Sequence, residues 1–361
     1  MIKNTLLIVF ALVILFIFIY SFFTNDKAYK ETKVSFSHNN NYLSGVLIEP
    51  KNRTNFPVVV FVHGDGATPY NVYGYYRPLW NYLAKKGIAS FSWDKAGVGD
   101  STGNWGNQSM DERADEVIEA IKMLKKREDI ISNKVGLIGY SQAGWVLPIV
   151  ASKSNYPDFM ILISGAINWI DQGKYLTKTR LTRKGFSQIQ IEEVLKYEAN
   201  SNKLLTDSFS YVEYIQTYNE TYPKTLKKNS SPMTANRFQF AKLNWHYDAR
   251  NNLKDITCPT LAIFGDKDMN IDFAESAKIY KEEFNKSKNN NLTIKTFPSA
   301  DHGILKSNYF DEIIPGIWFI IKLELLGDKA FANGYLNFIA KWVEENIVPH
   351  QIIIQRKNYE K

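Results

Sequence analysis

The sequence has very little cysteine, because Cys258 is the only one among 361 residues. A single thiol excludes an internal disulfide framework and any metal site built from several cysteines. Cys258 stands directly before Pro259, at the start of an apolar run that predicts a strand. We therefore expect this thiol to be buried and inert.

The net charge of the chain is also small. Lysine and arginine total 44 against 37 aspartates and glutamates, a net charge of +7 that is spread along the chain without a dense basic block. Nucleic-acid-binding proteins usually carry such a block, so we expect no nucleic-acid partner. With 45% hydrophobic residues, the chain can bury a full core, which predicts one large domain with an insertion or at most two domains.

Charged residues are missing from residues 6–23, which read LLIVFALVILFIFIYSFF. A helix that rises about 1.5 Å per residue would roughly match the hydrocarbon thickness of a bilayer over this length. Bulky residues at 20–23 and the lack of a small-residue cleavage site favour an uncleaved signal anchor. A cleaved signal peptide and a buried helix are the alternatives. The sequence therefore predicts an N-terminal transmembrane helix, and its likeness to a secretory signal favours an extracytoplasmic position for the rest of the chain.

Beyond residue 32 the chain alternates between short apolar runs and amphipathic helices. Residues 33–37 and 43–49 predict two strands joined by a turn of three asparagines. Further β-rich runs lie at 57–62, 88–93, 135–138, 159–163, 260–264 and 292–297. Residues 110–126 place apolar side chains at helical spacing. This order predicts a mostly parallel sheet with helices on both faces, in a domain over 33–361 that follows an anchor and linker over 1–32.

The most informative segment reads GYSQAG at 139–144. An apolar strand runs into it, and an apolar segment that predicts a helix follows. A strand, a sharp turn and a helix with a serine at the apex present the hydroxyl on strained, exposed backbone. Ser141 is therefore a candidate nucleophile, which needs a base, an orienting acid and an oxyanion hole elsewhere in the chain.

Two glycine-containing turns follow earlier strands. HGDG at 63–66 can present the backbone N–H of Asp65, which would hold an oxyanion together with the N–H of Gln142; the alternative is a turn with no further role. A carboxylate aimed at a developing negative charge would oppose catalysis, so we expect the Asp65 side chain to point away. DKAGVGDS at 94–101 lacks the spacing of phosphate and dinucleotide loops, and we interpret it as structural.

Acidic residues and a histidine follow two late strands. Asp266 and Asp268 come after TLAIFG, and His302 comes shortly after LTIKTF. The order Ser, Asp, His is the one that such sheets use for a catalytic triad. His302 would take the proton of Ser141, and Asp268 would orient the imidazole. Asp266 is the rival acid, although its place directly after a glycine is more typical of a residue that caps a turn.

The other histidines are weaker candidates for the base. The chain has five histidines in all. We expect His38 and His350 at the surface, His63 within the HGDG turn and His246 within the insertion. Only His302 combines a strand end, a following glycine and the expected order in the chain.

Five motifs, in this order, resemble the α/β-hydrolase superfamily, and within it the serine esterase, lipase-like or acyl-peptidase-like branch. They are HGDG at 63–66, DKAGVGDSTG at 94–103, GYSQAGW around Ser141, FGDKD ending at Asp268 and ADHG around His302. The resemblance implies an α/β-hydrolase fold and hydrolysis without a metal ion or a cofactor. One departure is Ala143, which occupies a position that is usually glycine, and we expect it to have a small effect.

Residues 166–255 interrupt the strand pattern and predict a helical cap inserted between two core strands. This segment holds 14 lysines and arginines against 9 acidic residues. A basic cap favours neutral or anionic acyl esters, including lipid-like ones, over substrates with a free amine. We therefore predict a serine hydrolase that cleaves carboxylic esters through an acyl-enzyme. A peptidase or acyltransferase with the same triad is the alternative, and a non-catalytic binding protein on this fold is the least favoured hypothesis.

Overall fold

The computed structural model describes residues 27–347, apart from 52, 206–207, 225, 228–229, 288 and 311–315. Eight strands form its sheet. They are β1 (Tyr29–His38), β2 (Asn41–Pro50), β3 (Phe56–Val62), β4 (Ala89–Trp93), β5 (Ile130–Tyr140), β6 (Met160–Ile163), β7 (Thr260–Gly265) and β8 (Leu292–Phe297).

The strands lie in the order β1-β2-β4-β3-β5-β6-β7-β8. Strand β2 pairs antiparallel with β1 and β4, and every pair from β4 to β8 is parallel. All residues of β3, β6 and β7 are buried, as expected for parallel strands covered on both faces. This sheet agrees with the mostly parallel sheet that the sequence predicts, and its carboxyl edge collects the loops that follow the strands.

Helices cover both faces of the sheet and form the insertion. They are α1 (Arg77–Lys85), α2 (Met110–Lys125), α3 (Ala143–Lys153), α4 (Trp169–Arg183), α5 (Gln188–Lys203), α6 (Tyr211–Thr221), α7 (Ala235–Asn244), α8 (Arg250–Leu253), α9 (Phe273–Lys286), α10 (Ile317–Leu326) and α11 (Tyr335–Ile347). Buried side chains of α2, α3 and α9 join one core cluster, and those of α1, α10 and α11 join the other.

Helix α2 begins at a capping box. The Ser109 hydroxyl accepts a hydrogen bond from the N–H of Glu112 at 3.1 Å, and the Glu112 carboxylate accepts one from the N–H of Ser109 at 2.7 Å. Its buried face carries apolar residues at helical spacing, with Arg113 among them. This charged residue on an apolar face reaches the candidate site described below.

Helices α4 to α8 lie between β6 and β7, and we call residues 169–253 the cap segment. Its four longer helices each begin with a side chain that accepts a backbone N–H, at Asn168, Ser187, Ser210 and Thr234. The buried Asn244 ties the segment to the start of α2, because its side chain accepts from the N–H of Met110 at 3.0 Å and donates to the carbonyl of Gln108 at 3.1 Å. The cap segment is therefore anchored near the sheet edge.

One part of the predicted fold class is wrong. Across the described ranges, no helix combines the length and the apolar character that a membrane crossing requires. The longest helices there, α2 and α5, have 16 residues, whereas a crossing needs about 20. Residues 6–23, the basis of the prediction, lie outside the described residues. The transmembrane helix, the membrane partner and the single-pass membrane location with an extracytoplasmic catalytic domain are withdrawn accordingly.

Candidate active site

Ser141 lies between the end of β5 and the start of α3, with a φ of +52°. This left-handed conformation costs about 1–3 kcal/mol for a residue with a side chain. Its N–H donates to the carbonyl of Ile163 at 2.9 Å, and its own carbonyl accepts from the N–H groups of Gly144 at 2.8 Å and Ala166 at 2.9 Å. These bonds hold the serine in a strained turn at the carboxyl edge of the sheet.

The space around this turn explains the glycines on either side of Ser141. A Cβ added at Gly144 would lie 2.5 Å from the backbone nitrogen of Ala166, closer than real Cβ atoms approach. A Cβ at Gly139 would lie 2.8 Å from the Cβ of Ala143. The methyl group of Ala143, which departs from the usual motif, therefore fits because position 139 has no side chain.

Asp268 and His302 are brought together by the loops after β7 and β8. The Nδ1 of His302 lies 2.8 Å from Oδ2 of Asp268. The other carboxylate oxygen accepts the N–H groups of Asn270 at 2.7 Å and Ile271 at 3.0 Å, so the acid is fixed in position. Because a carboxylate accepts, Nδ1 carries the proton and Nε2 is left to accept another.

The charge state of His302 depends on Asp268. Burial alone would lower the pKa of His302, but attraction to Asp268 and the hydrogen bond to it raise the pKa above its usual value.

The neighbouring Asp301 is a further carboxyl group, and burial raises its pKa to about 7. It accepts the N–H groups of Gly303 and Leu305 at 2.9 and 2.8 Å, and so shapes the loop that carries His302. Sequence reasoning missed this residue, although it belongs to the ADHG motif.

The rival acid is not joined to the histidine. Oδ1 of Asp266 is buried without a hydrogen-bond partner in the described part of the chain. Its N–H donates to the carbonyl of Phe297 at 3.1 Å. The structure thus brings Asp268, rather than Asp266, to His302.

The buried His63 has a structural environment. Its Nε2 lies 2.6 Å from the carbonyl of Trp93, and its Nδ1 lies 3.1 Å from the hydroxyl of Tyr76. A carbonyl only accepts, so Nε2 carries the proton and Nδ1 accepts from the tyrosine. Burial lowers the pKa of His63 to about 3, which keeps the ring neutral. Among the remaining described histidines, His38 is half-buried and His246 is exposed; His350 lies outside the described residues.

The HGDG turn lies against the Ser141 turn. A Cβ added at Gly64 would be 3.3 Å from the Cβ of Ser141. The next residue is Asp65, whose N–H is one predicted oxyanion donor. Gln142 carries the other predicted donor, and its side-chain Nε2 donates to the Asp65 carboxylate at 2.8 Å. The two residues that carry the predicted donors are therefore linked through their side chains.

The Asp65 carboxylate is neutralised by cations. The guanidinium of Arg237, in helix α7 of the cap segment, donates to Oδ1 of Asp65 at 2.7 Å. Burial alone would raise the pKa of Asp65, but Arg237 and Lys95 together hold it below its usual value. Oδ1 of Asp65 thus accepts from both Arg237 and the side chain of Gln142, and the charge of Arg237 offsets that of the carboxylate.

Lys95 also holds the HGDG turn through hydrogen bonds to its backbone. It is almost fully buried, and its ammonium donates to the carbonyls of Gly64 at 2.6 Å and Gly66 at 3.0 Å, on either side of Asp65. Burial holds the pKa of Lys95 well below its usual value. The lysine belongs to the DKAG turn that the sequence predicts as structural, and no local pattern indicates where its side chain points.

Arg113 joins the two turns. Its guanidinium donates to the side-chain oxygen of Gln142 at 2.5 Å and to the carbonyl of His63 at 2.7 Å. Sequence reasoning missed this residue as well. The signal was available, because Arg113 occupies a position in the helical period of α2 that otherwise holds apolar side chains.

No metal centre accompanies these groups within the described ranges, where no three His, Cys, Asp or Glu side chains are grouped as ligands would be. The site instead has one imidazole bound to a carboxylate, a strained serine and two adjoining turns that carry the predicted backbone donors. Such an arrangement is able to move one proton and hold one developing negative charge.

The profile of a known protein family covers most of this architecture. The family described as serine aminopeptidase, S33, matches residues 54–308, from β3 to the loop beyond His302. The chain belongs to the serine aminopeptidase S33 family. The match confirms the predicted resemblance to esterase-like and lipase-like hydrolases of the α/β-hydrolase superfamily.

Individual relatives of this S33 member are distant. Esterase EstD of Thermotoga maritima is 24% identical over 277 residues, which cover 73% of this chain and 58% of that protein. The chain thus spans well under two thirds of this relative's length.

Solved structures agree on the fold. The esterase Pf2001 of Pyrococcus furiosus superposes with a TM-score of 0.54 at 16% identity, covering 88% of this chain and 93% of that one. The α/β-hydrolase GrgF from Penicillium sp. sh18 gives a TM-score of 0.55 at 15% identity, covering 89% and 100%. Est1E of Butyrivibrio proteoclasticus, solved with ferulic acid bound, gives 0.51 at 16% identity, covering 86% and 96%. At these identities the likeness supports the fold alone.

Proposed function

We propose that this protein is a carboxylic ester hydrolase with Ser141 as nucleophile, His302 as general base and Asp268 as the acid that orients the histidine. The observation that carries the proposal is the 2.8 Å contact between His302 Nδ1 and Asp268 Oδ2, at the sheet edge where Ser141 has its strained φ of +52°. The contact leaves His302 Nε2 available to the serine hydroxyl.

The proposed reaction has two steps, acylation of Ser141 and hydrolysis of the acyl-enzyme. Ser141 Oγ attacks the ester carbonyl carbon while His302 Nε2 takes the hydroxyl proton, and the N–H groups of Asp65 and Gln142 hold the resulting oxyanion. The C–O bond to the alcohol then breaks, and the alcohol leaves with the proton from His302. Water next loses a proton to His302 and attacks the acyl group on Ser141. The bond from the acyl carbon to Ser141 Oγ then breaks, His302 returns the proton to the serine, and the carboxylic acid leaves.

The charges around the HGDG turn favour ester substrates over substrates with a free amine. Lys95, Arg113 and Arg237 all donate to groups of the two turns, and the carboxylates of Asp65 and the buried Glu116 offset two of these three charges. This positive excess attracts a developing oxyanion and repels a substrate ammonium. The description of the Thermotoga relative as an esterase points the same way.

The second candidate is hydrolysis of amide bonds by the same residues. It is favoured by one specific observation, the description of the matched family as a serine aminopeptidase. Serine triads cleave amide as well as ester bonds, so an aminopeptidase would use the same three residues on an amide bond.

We also propose that residues 166–255 act as a cap over a hydrolase domain that spans 33–361. Two contacts support this role. The hydroxyl of Tyr175 donates to the backbone carbonyl of Asp268 at 3.1 Å, and Arg237 binds Asp65 at 2.7 Å. The cap would bind a small-molecule ester against the serine and exclude bulk water.

The nucleophile is tested by covalent labelling. The full chain, treated with a fluorescent fluorophosphonate, should be labelled once. The variant Ser141→Ala should lose the label and at least about 10³-fold in kcat for a p-nitrophenyl ester. Ser152→Ala, an exposed serine on the same helix α3, is the matched control and should behave as wild type. Labelling that persists in Ser141→Ala would remove Ser141 from the mechanism.

The substrate class is tested with matched acyl groups on two leaving groups. We expect p-nitrophenyl acyl esters to be cleaved with a much higher kcat/KM than aminoacyl p-nitroanilides. Arylamide cleavage at a comparable or higher kcat/KM would favour the aminopeptidase instead. Loss of both activities in Ser141→Ala would assign them to one site.

A further inference from the structure

Tyr75 contacts the loop that carries His302 from a distant part of the chain. It lies between the HGDG turn and helix α1. Its hydroxyl donates to the carbonyl of Gly303, the residue directly after His302, at 2.5 Å. Within the described ranges no other group donates to this carbonyl. The Tyr75 hydroxyl is therefore the partner of this backbone acceptor.

The peptide unit between Gly303 and Ile304 is held at both of its polar ends. Its carbonyl accepts from Tyr75, and its N–H donates to the carbonyl of Asp301 at 3.1 Å. Ile304 has a φ of +55°, a left-handed conformation that is unfavourable for a residue with a branched side chain. Such a turn persists only where the surrounding structure holds it in place. The two hydrogen bonds thus fix the backbone that follows His302.

The ring of Tyr75 is itself held by its neighbours. It packs against the rings of Tyr140 and Phe331, with centroids 5.6 and 5.3 Å away. Tyr140 is the last residue of β5, and Phe331 forms a β-bridge with Leu305 in the loop beyond β8. Tyr75 is thus packed between the strand that leads to the serine and the loop that carries the histidine.

Burial keeps the proton on this hydroxyl. Tyr75 is 8% exposed, and burial raises its pKa well above the usual value for a tyrosine. A protonated hydroxyl can donate, and a backbone carbonyl can only accept. The bond to Gly303 therefore persists across the pH range in which His302 titrates.

We propose that Tyr75 is a positioning residue for His302, which sets the place of Nε2 relative to the hydroxyl of Ser141 by holding the backbone after the histidine. The proposal rests on the proposed function, because it gives Tyr75 a part in proton transfer between these two residues. Asp268 selects the tautomer of the imidazole, and Tyr75 locates the loop that carries it. Proton transfer depends on this placement, since the two atoms must come within hydrogen-bond distance.

Tyr75→Phe tests this role, because it keeps the ring and removes only the donor. We expect kcat for a p-nitrophenyl ester to fall by about tenfold or more while KM stays within about twofold, since a displaced base slows proton transfer without weakening ground-state binding. The fall of kcat/KM at low pH should keep its position, because Asp268 still holds Nδ1 of His302. Complete labelling with a fluorophosphonate counts the active sites, so that unfolded protein does not enter kcat.

Tyr280→Phe is the matched control. Tyr280, in helix α9, is also buried, but its hydroxyl has no hydrogen-bond partner in the part of the chain that the structure describes. Its kcat and KM should equal those of wild type. Equal losses of kcat in the two variants, or a shifted acidic limb in Tyr75→Phe, would overturn the proposal.

Two further outcomes are decisive. If Tyr75→Phe does not fold, Phe331→Leu replaces it, because loosening the packing of the Tyr75 ring should also lower kcat per active site at constant KM. An unchanged kcat there would exclude the role. A wild-type chain with neither esterase activity nor labelling would refute the proposed function, and this role with it. An active wild type with unchanged kcat in Tyr75→Phe would refute the positioning role alone.

Discussion

At the scale of single residues, the site depends on side chains whose hydrogen bonds leave them one orientation. Asp268 accepts two backbone N–H groups and the imidazole of His302, so it has no freedom to turn. His302 in turn is held in the tautomer that exposes Nε2. Asp268 thus sets both the orientation and the pKa of His302.

Asp268→Asn is expected to lower kcat by about 10³- to 10⁴-fold, because an amide cannot enforce the tautomer. It should also change the pH profile. A base acts only when neutral, and Asp268 raises the pKa of His302, so activity is lost as pH falls through that raised value. In Asp268→Asn the acidic limb of kcat/KM should move to lower pH.

Asp266→Asn is the matched control for this change, since it lies two positions away and is not bonded to His302. We expect near wild-type kcat and an unmoved acidic limb. A loss of activity in Asp266→Asn similar to that in Asp268→Asn would contradict the assignment of the acid.

Lys95→Met is expected to lower kcat by about 10- to 100-fold while KM changes little. The buried ammonium holds the carbonyls on both sides of Asp65, and displacing the N–H that we propose as an oxyanion donor should cost transition-state stabilisation rather than ground-state binding. Initial-rate kinetics with a p-nitrophenyl ester measure this split. Lys51→Met, at an exposed lysine, should have no effect. A rise in KM alone would show that Lys95 acts on binding.

At the scale of elements, the start of helix α3 decides how closely the Ser141 turn packs against the chain beyond β6. Gly144 touches the backbone of residue 166, in the segment that leads to the cap, so this crossing has no room for a side chain. In helix α4, by contrast, a Cβ on Gly173 would meet nothing within 4 Å beyond its own helix. Close packing therefore requires a glycine at position 144 but not at position 173.

Gly144→Ala should therefore destabilise the fold by about 1–3 kcal/mol, as overpacking of backbone against backbone does. Gly173→Ala should stabilise it by about 0.5–1 kcal/mol, because alanine is the better helix former. Urea unfolding of both variants measures the difference. Equal effects of the two changes would show that the close approach at Gly144 is not rigid.

Sequence periodicity predicted the elements well, and their side-chain contacts poorly. The runs at 57–62 and 260–264 fall within β3 and β7, since solid apolar strands are a local signal. The contacts of Lys95 and Arg113 arise only when β4 and α2 come together beside the HGDG turn, and no local pattern contains such information. The Ser, Asp and His candidates were found because parallel strands bring their carboxyl ends to one edge.

At the scale of the whole molecule, the cap segment is linked to the HGDG turn at the edge of the sheet. Arg237 reaches from α7 to Asp65, and its guanidinium also lies over the rings of Trp169 and Phe240, at 5.6 and 5.1 Å. The folded-state pKa of Asp65 is held below its usual value. The link therefore contributes at neutral pH and is lost as pH falls through that lowered pKa.

A double-mutant cycle tests this link. Arg237→Met and Asp65→Asn should each lower kcat/KM, and the double variant should lose less than the sum of the two, with a coupling of about 0.5–1 kcal/mol for a partly exposed pair. A parallel cycle on the free energy of unfolding, measured at neutral pH and below the lowered pKa of Asp65, adds a control, because the coupling should shrink once Asp65 is protonated. Strict additivity at neutral pH would mean that the cap does not act through Asp65.

The half-buried Cys258 has a practical consequence for measuring how the cap segment moves. Burial raises the pKa of its thiol to about 11, so at neutral pH only about one molecule in ten thousand carries the thiolate that reacts with maleimides. A cysteine introduced at an exposed site such as Lys178→Cys would react far sooner. A spectroscopic label can thus be attached to the cap of the otherwise natural chain, with its one native thiol left in place.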